Sequence, residues 1–146
     1  MEIILESSAY SINDYYYNNR KHGKRAEAKQ WEYQINWLLK DYEEQFKKFR
    51  DSFGADSALS VEITFYHHNF FTKSGKLNSK IYDLSNCEKV LIDLLLNPVN
   101  HGPAPYKSPN LNIDDCKVIK LLSQKLPANR DYIRVVIEQI AIPNIL

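Results

Sequence analysis

Residues 58–67 read ALSVEITFYH. Leu59, Val61, Ile63 and Phe65 alternate with Ser60, Glu62, Thr64 and Tyr66, so a strand here carries one apolar row and one partly polar row. Such a strand buries one face of a sheet against a core. Upstream, from Ala26 to about Phe49, Trp31, Ile35, Leu38, Leu39, Tyr42 and Phe46 recur at spacings of three and four with Glu and Lys between them. That period predicts one long amphipathic helix whose apolar face needs a sheet or a partner subunit. Gly54, closing the run DSFG, marks its exit. Residues 2–8 (EIILESS) read as a short first strand. Residues 9–24 (AYSINDYYYNNRKHGK) show no useful period and read as a loop.

Downstream, residues 67–80 are a mostly polar loop, and residues 85–96 read as a helix. Ser85 followed by Glu88 fits a capping box at its start. Residues 97–112 hold Pro98, Gly102, Pro103, Pro105 and Pro109, a connection longer than usual; such loops are often functional. Residues 117–122 (KVIKLL) and 131–140 (DYIRVVIEQI) read as strands around a turn at 127–130. The order is strand, long helix, strand, helix, strand, strand. It predicts an α+β fold: one mixed or antiparallel sheet with helices mainly on one side, in a single domain spanning 1–146.

The chain of 146 residues is long enough to bury a core without disulfides or metal. Apolar residues at 44% and charged residues at 25% are ordinary for a globular domain, which excludes a disordered or fibrous chain. No stretch approaches the ~20 apolar residues of a membrane span. The N-terminus turns polar after MEIIL and has no signal segment, so the expected compartment is the cytoplasm. Cys87 and Cys116 both sit in apolar-patterned segments and are expected reduced and buried. The net charge is only +1, but Arg20, Lys21, Lys24, Arg25 and Lys29 face a single acid, Glu27, across 20–30. Such a patch attracts a phosphate backbone even on a near-neutral chain.

Two short segments carry candidate chemistry. In YDLSNCEKVLID (82–93), Asn86, Lys89 and Asp93 share one helical stripe, while the residues between and after them are largely apolar. Burying a carboxylate and an ammonium costs several kcal/mol unless they are paired or bind something. The bland alternative is a Lys89–Asp93 pair on a moderately exposed face. In NIDDC (112–116), Asp114 and Asp115 are adjacent acids. They are either a solvated loop pair or, with Asp83, part of an oxygen-ligand site for Mg²⁺. Such a cation activates water and stabilises the leaving oxygen in phosphodiester hydrolysis. Lys125, ten residues beyond Asp115, would place a positive charge by the phosphate. His22, His67, His68 and His101 are scattered, and the adjacent pair His67–His68 would point to opposite faces of a strand.

In ordered sequence these pieces resemble the RusA-type Holliday-junction resolvases, small endonucleases common in phages and prophages. The family pattern is Asp-aliphatic-Asp-Asn, then Lys three residues on and Asp four after that. A loop, an Asp-Asp pair and a strand with a basic residue follow. Asp83, Asn86, Lys89 and Asp93 stand at the family spacing, Asp114 and Asp115 match the acid pair, and Lys125 matches the late basic residue. Ser11-x-Asn13-x-Tyr15-Tyr16 resembles the family segment after the first strand. The likeness covers nearly the whole chain. It implies a homodimer that cuts branched DNA symmetrically with Mg²⁺ or Mn²⁺. The main metal carboxylates would carry over to Asp83, position 85 and Asp115, with Asp93 or Asp114 able to complete the set.

Position 85 departs from the pattern: Ser85 stands where the family usually has its second Asp. A hydroxyl is a weaker ligand for a hard cation. The alternative expectation is therefore a DNA-junction-binding protein with weakened or lost nuclease activity. The 97–112 loop also looks longer than in typical members. The N-terminal arm suits DNA under either reading. Asn13, Tyr15 and Tyr16, with Tyr10 and Tyr17, precede Arg20, Lys21, Lys24 and Arg25. Rings beside basic side chains stack on unpaired bases and hold phosphates, with Asn86 as a further polar contact. A nuclease of another specificity would share the same metal chemistry. In any nuclease reading, Asp83 and Asp115 fold into one pocket.

Overall fold

The structure, a computed structural model, describes residues 1–11, 25–81, 83–96 and 109–144. Its elements are β1 (Glu2–Leu5), α1 (Ala26–Leu39), α2 (Glu43–Ser52), β2 (Ser57–His67), α3 (Leu84–Leu96), β3 (Val118–Pro127) and β4 (Tyr132–Ala141). The strands form one sheet in the order β1-β4-β2-β3. β1–β4 and β4–β2 pair antiparallel, and β2–β3 pair parallel. The sheet is thus mixed, and the fold is α+β as expected. A parallel pair needs a long crossover, and the segment containing α3 supplies it between β2 and β3.

Register explains which face is buried. Val61 lies beside Ile137 and Leu121, Ile63 beside Val135 and Ser123, and Phe65 beside Ile133 and Lys125. The apolar row of β2 thereby continues across β4, and both rows are buried. Ile35 and Leu39 of α1, Phe46 of α2, and Leu91 and Leu95 of α3 join the same cluster. The helices therefore cover this face. The opposite face carries Tyr66 stacked on Tyr132 (4.1 Å between centroids), with the Arg130 guanidinium over the Tyr132 ring. Arg134 there reaches Glu2 of β1 at 2.7 Å.

Several boundaries differ from the sequence reading. The long helix is two: α1 stops at Leu39, a 3-10 turn spans Lys40–Tyr42, and α2 follows. Tyr42 leaves helical geometry (φ −106°, ψ 6°). Its hydroxyl bonds both backbone groups of Ile4, at 3.0 Å to the amide and 3.1 Å to the carbonyl. Two edge groups of β1 are satisfied at the expense of helix continuity. The apolar period runs through the break because Ile35, Leu39 and Phe46 bury in the same core. β1 ends at Leu5, where the Ser7 amide turns back to the Leu5 carbonyl. β3 runs on to Pro127 because it pairs along β2 as far as His67.

The capping box does not form. α3 begins at Leu84, so Ser85 lies inside its first turn. The Asp83 carbonyl accepts the Asn86 and Cys87 amides, while the Glu88 carboxylate accepts the Ser123 hydroxyl of β3 instead of reaching back to the helix start. Cys87 is buried as expected, but Cys116 is exposed, because it falls in a 3-10 turn (Asp115–Lys117) before β3. Among the described residues no helix is long and apolar enough to cross a membrane.

Candidate active site

α3 is two-faced. Cys87, Val90, Leu91, Leu94 and Leu95 are buried, and burial of this face docks the helix on the sheet. The other face, at 85, 88–89 and 92–93, borders a cleft of about 460 Å³. Ser85, Glu88, Lys89 and Asp93 are its polar residues from α3, and Asp115 lines it from the turn before β3. Lys120 borders its β3 edge, but its register beside Ser60 places its side chain on the other face of the sheet. Ile92, Val118, Ile119 and Leu121 are the apolar walls. From Ser85 to Asp93 the helix advances about 12 Å, so the cleft is an elongated trough.

Asp115 reaches this trough because the chain before it is pinned to the end of α3. The amides of Leu111 and Ile113 donate to the carbonyls of Leu95 (2.9 Å) and Leu96 (3.2 Å), two of the carbonyls a helix end leaves free. Leu111 and Ile113 are buried while Asn112 between them points out, its backbone in the left-handed region at φ 51°. Asn tolerates that region better than most residues. Asp114 and Asp115 then part company. Asp114 accepts the Cys116 amide at 2.9 Å, and this hydrogen bond holds its carboxyl below the usual carboxylate range. It caps its own turn and does not line the cleft, whereas Asp115 does.

The sequence-predicted residues therefore fall into groups. Lys89, Asp93 and Asp115, with Ser85, share the cleft. Asp83 is exposed just before α3 and is not among the cleft residues, so the cleft brings Asp115 to Lys89 and Asp93 and not, as expected, to Asp83. It and Lys125 instead flank Cys87. Burial pushes that thiol up to about 12, with Lys125 opposing and Asp83 adding to the shift. Lys125 also acts on His67, whose imidazole burial holds below its ordinary value, against the pull of Asp131. Asn86 is half-buried and does not line the cleft. His68 bonds Asp131 through its ring (2.7 Å) and its amide (2.9 Å), away from the cleft. Arg25 sits immediately before α1, while Asn13, Tyr15, Tyr16, Arg20, Lys21 and Lys24 lie outside the described residues, as does most of the 97–112 loop. Glu88 and Lys120 were not singled out from the sequence. Glu88 looked like a capping residue, and Lys120 is one of many lysines, so only their common cleft marks them.

The donors fit a hard cation in type. Two carboxylates of the predicted set and a hydroxyl face a trough open to solvent, and Mg²⁺ is commonly held by one or two carboxylates with waters and phosphate oxygens making up the rest. Among the described residues, no three His, Cys, Asp or Glu side chains gather into a metal-holding group. The arrangement suits a cation shared with substrate better than a closed protein cage. No protein-family model matches the chain, and no curated protein matches it.

Proposed function

We propose that this protein is a metal-dependent, structure-selective DNA endonuclease that resolves four-way junctions by phosphodiester hydrolysis, acting as a cytoplasmic homodimer. One observation carries the reading: Lys89, Asp93 and Asp115, chosen from two separate segments of sequence, line one cleft. Asp93 and Asp115 would hold Mg²⁺ or Mn²⁺. When bound, the cation supplies an activated water and stabilises the departing oxygen. Lys89 holds the phosphate by charge. Ser85 offers a hydroxyl to the same phosphate or to a water. The apolar walls, Ile92 and Leu121 among them, keep solvent from part of the trough and strengthen these contacts. The N-terminal arm, with Tyr15, Tyr16, Arg20, Lys21 and Lys24, grips the branched DNA.

A second reading is supported by Ser85 itself. With a hydroxyl in the cleft at that position, the protein would bind junctions with weak cleavage or none. Incubation with a labelled four-way junction and a matched duplex, with and without Mg²⁺ or Mn²⁺, tests both. Metal-dependent symmetric cuts in the junction alone support the nuclease, and retained binding without cuts supports the second reading. Equal, weak binding to both DNAs refutes both. The Asp93→Asn variant is expected to keep junction binding and lose metal-dependent cleavage.

A further inference from the structure

We infer that the hairpin at 70–78 holds unpaired bases of branched DNA, with Phe71 and Leu77 as its apolar contact and Lys73, Lys76 and Lys80 on the neighbouring phosphates. The inference rests on the reading above for its partner, and not for metal or cleavage. Phe71 and Leu77 bridge as an antiparallel pair. The Thr72 amide donates to the Lys76 carbonyl (2.7 Å) and the Asn78 amide to the Phe70 carbonyl (2.9 Å). Theirs is therefore the closer, non-hydrogen-bonded kind of pair, with both side chains on one side of the hairpin. Gly75 closes the turn at φ 82°, a backbone conformation that suits glycine, with its amide on the Thr72 carbonyl at 2.9 Å. The Asn78 side chain ties the base of the hairpin to the Asn69 carbonyl at 2.9 Å. The Phe70 ring meets Phe71 edge to face, 5.0 Å between centroids. Yet Phe71 and Leu77 are each 56% exposed. Local hydrogen bonds thus order two apolar side chains that the core does not use.

Charge selects the occupant. Asn69 to Ile81 holds three lysines and no acid. Among the described residues, no ion pair engages Lys73, Lys76 or Lys80. An aromatic ring and an aliphatic side chain set among lysines match a polyanion that also exposes flat apolar rings. Nucleic acid with unstacked bases is such a ligand. A second copy of the hairpin would instead bring three more lysines against these three. A lipid surface would receive only two apolar side chains, a small area beside the apolar face of an interfacial helix. Position agrees with DNA. Ile81 stands four residues before Ser85, so this segment ends within about 14 Å of the head of the trough. Bases held on the hairpin keep the branch point near the proposed site of cleavage.

The test is fluorescence anisotropy of the full chain, without metal, on a labelled four-way junction with unpaired thymidines at its centre and on a matched duplex. Phe71→Ala is expected to bind the junction about tenfold more weakly and the duplex unchanged. Phe71→Trp, which keeps a stacking ring, should bind the junction as wild type does. Replacing Lys73, Lys76 and Lys80 together by Gln should reduce the slope of log affinity against log salt by about 2, whereas Phe71→Ala leaves that slope alone. Wild-type junction affinity in Phe71→Ala, or an equal loss on the duplex, overturns the inference and leaves the nuclease reading standing. So does sedimentation of wild type, but not of Phe71→Ala, with phosphatidylserine vesicles, which would assign the hairpin to a lipid surface. Equal, weak binding of wild type to both DNAs overturns both.

Discussion

Leu91→Ala is expected to destabilise the fold by about 3–4 kcal/mol while leaving the cleft intact. Leu91 is 0% exposed, among the largest fully buried side chains, and lies on the face of α3 opposite the cleft. Truncation removes three carbon groups, worth about 0.8 kcal/mol each, or roughly 2.4 kcal/mol of transfer energy. The space left behind adds about 1–2 kcal/mol where its walls cannot collapse, and they belong to a continuous cluster that includes Leu95, Ile63 and Val135. The higher helix propensity of Ala returns only about 0.2 kcal/mol. Against a typical total of about 5–15 kcal/mol, the loss is large but leaves most molecules folded at room temperature. For a chain of this size it lowers Tm by roughly 8–14 °C. Urea unfolding followed by circular dichroism measures it, with an unchanged m-value expected. Leu122→Ala, at a position 49% exposed on β3, is the control and should stay within about 0.5 kcal/mol. A loss below about 1 kcal/mol for Leu91→Ala would mean that α3 is not docked through this face, and the cleft built on its other face would fall with it.

Asp115→Asn is expected to cut metal-dependent junction cleavage about a hundredfold or more with junction binding retained; quantitative cleavage and gel-shift assays read both, and wild-type turnover would remove Asp115 from the site. Tyr42→Phe, which strips both hydrogen bonds from Ile4, should cost about 1–3 kcal/mol in the same urea assay, and no loss would refute the account of the α1–α2 break. Burial raises the Glu32 carboxyl from 4.5 to about 7, so the folded state holds its proton where the unfolded state has lost it. The resulting stability is present in full below pH 4.5 and is lost as pH rises through 7. Glu32→Gln should therefore gain on wild type at pH 8 and match it near pH 4.5; parallel stability curves would refute this. His67 works in the opposite sense. Its folded-state value lies below 6.5, through burial and through Lys125 and His68, with Asp131 opposing, so wild type loses stability as pH falls beneath 6.5. His67→Gln should flatten that limb of a thermal-unfolding series, and an unchanged slope would show that the imidazole titrates as an ordinary one.

The parts of the fold legible in the sequence are those whose signal is local. The period of two in β2 and the apolar stripe of α3 come from side chains a few positions apart, and both elements stand within a residue of where the period places them. The break after Leu39 has no such signal, because the group that ends α1 smoothly into a 3-10 turn is a tyrosine hydroxyl bound to Ile4, 38 residues away. The capping box failed for the same reason. Ser85 and Glu88 have the right spacing, but the Glu88 carboxylate goes to Ser123, 35 residues on. Cys116 shows the limit of pattern alone, since an apolar-looking neighbourhood in sequence became an exposed turn.

The site divides along the same line. That Lys89 and Asp93 share a helix face follows from 3.6 residues per turn and was settled by the chain itself. That Asp115 faces them while Asp114 turns to its own backbone depends on tertiary contacts. Leu111 and Ile113 are held by the end of α3, and Cys116 claims Asp114. The meeting of Glu88 with Ser123 is likewise a product of how α3 lies on β3. Periodicity reports which way a side chain points from its own element. Only the packed chain decides what stands opposite, because that contact is made through space between residues whose separation in sequence carries no fixed geometry.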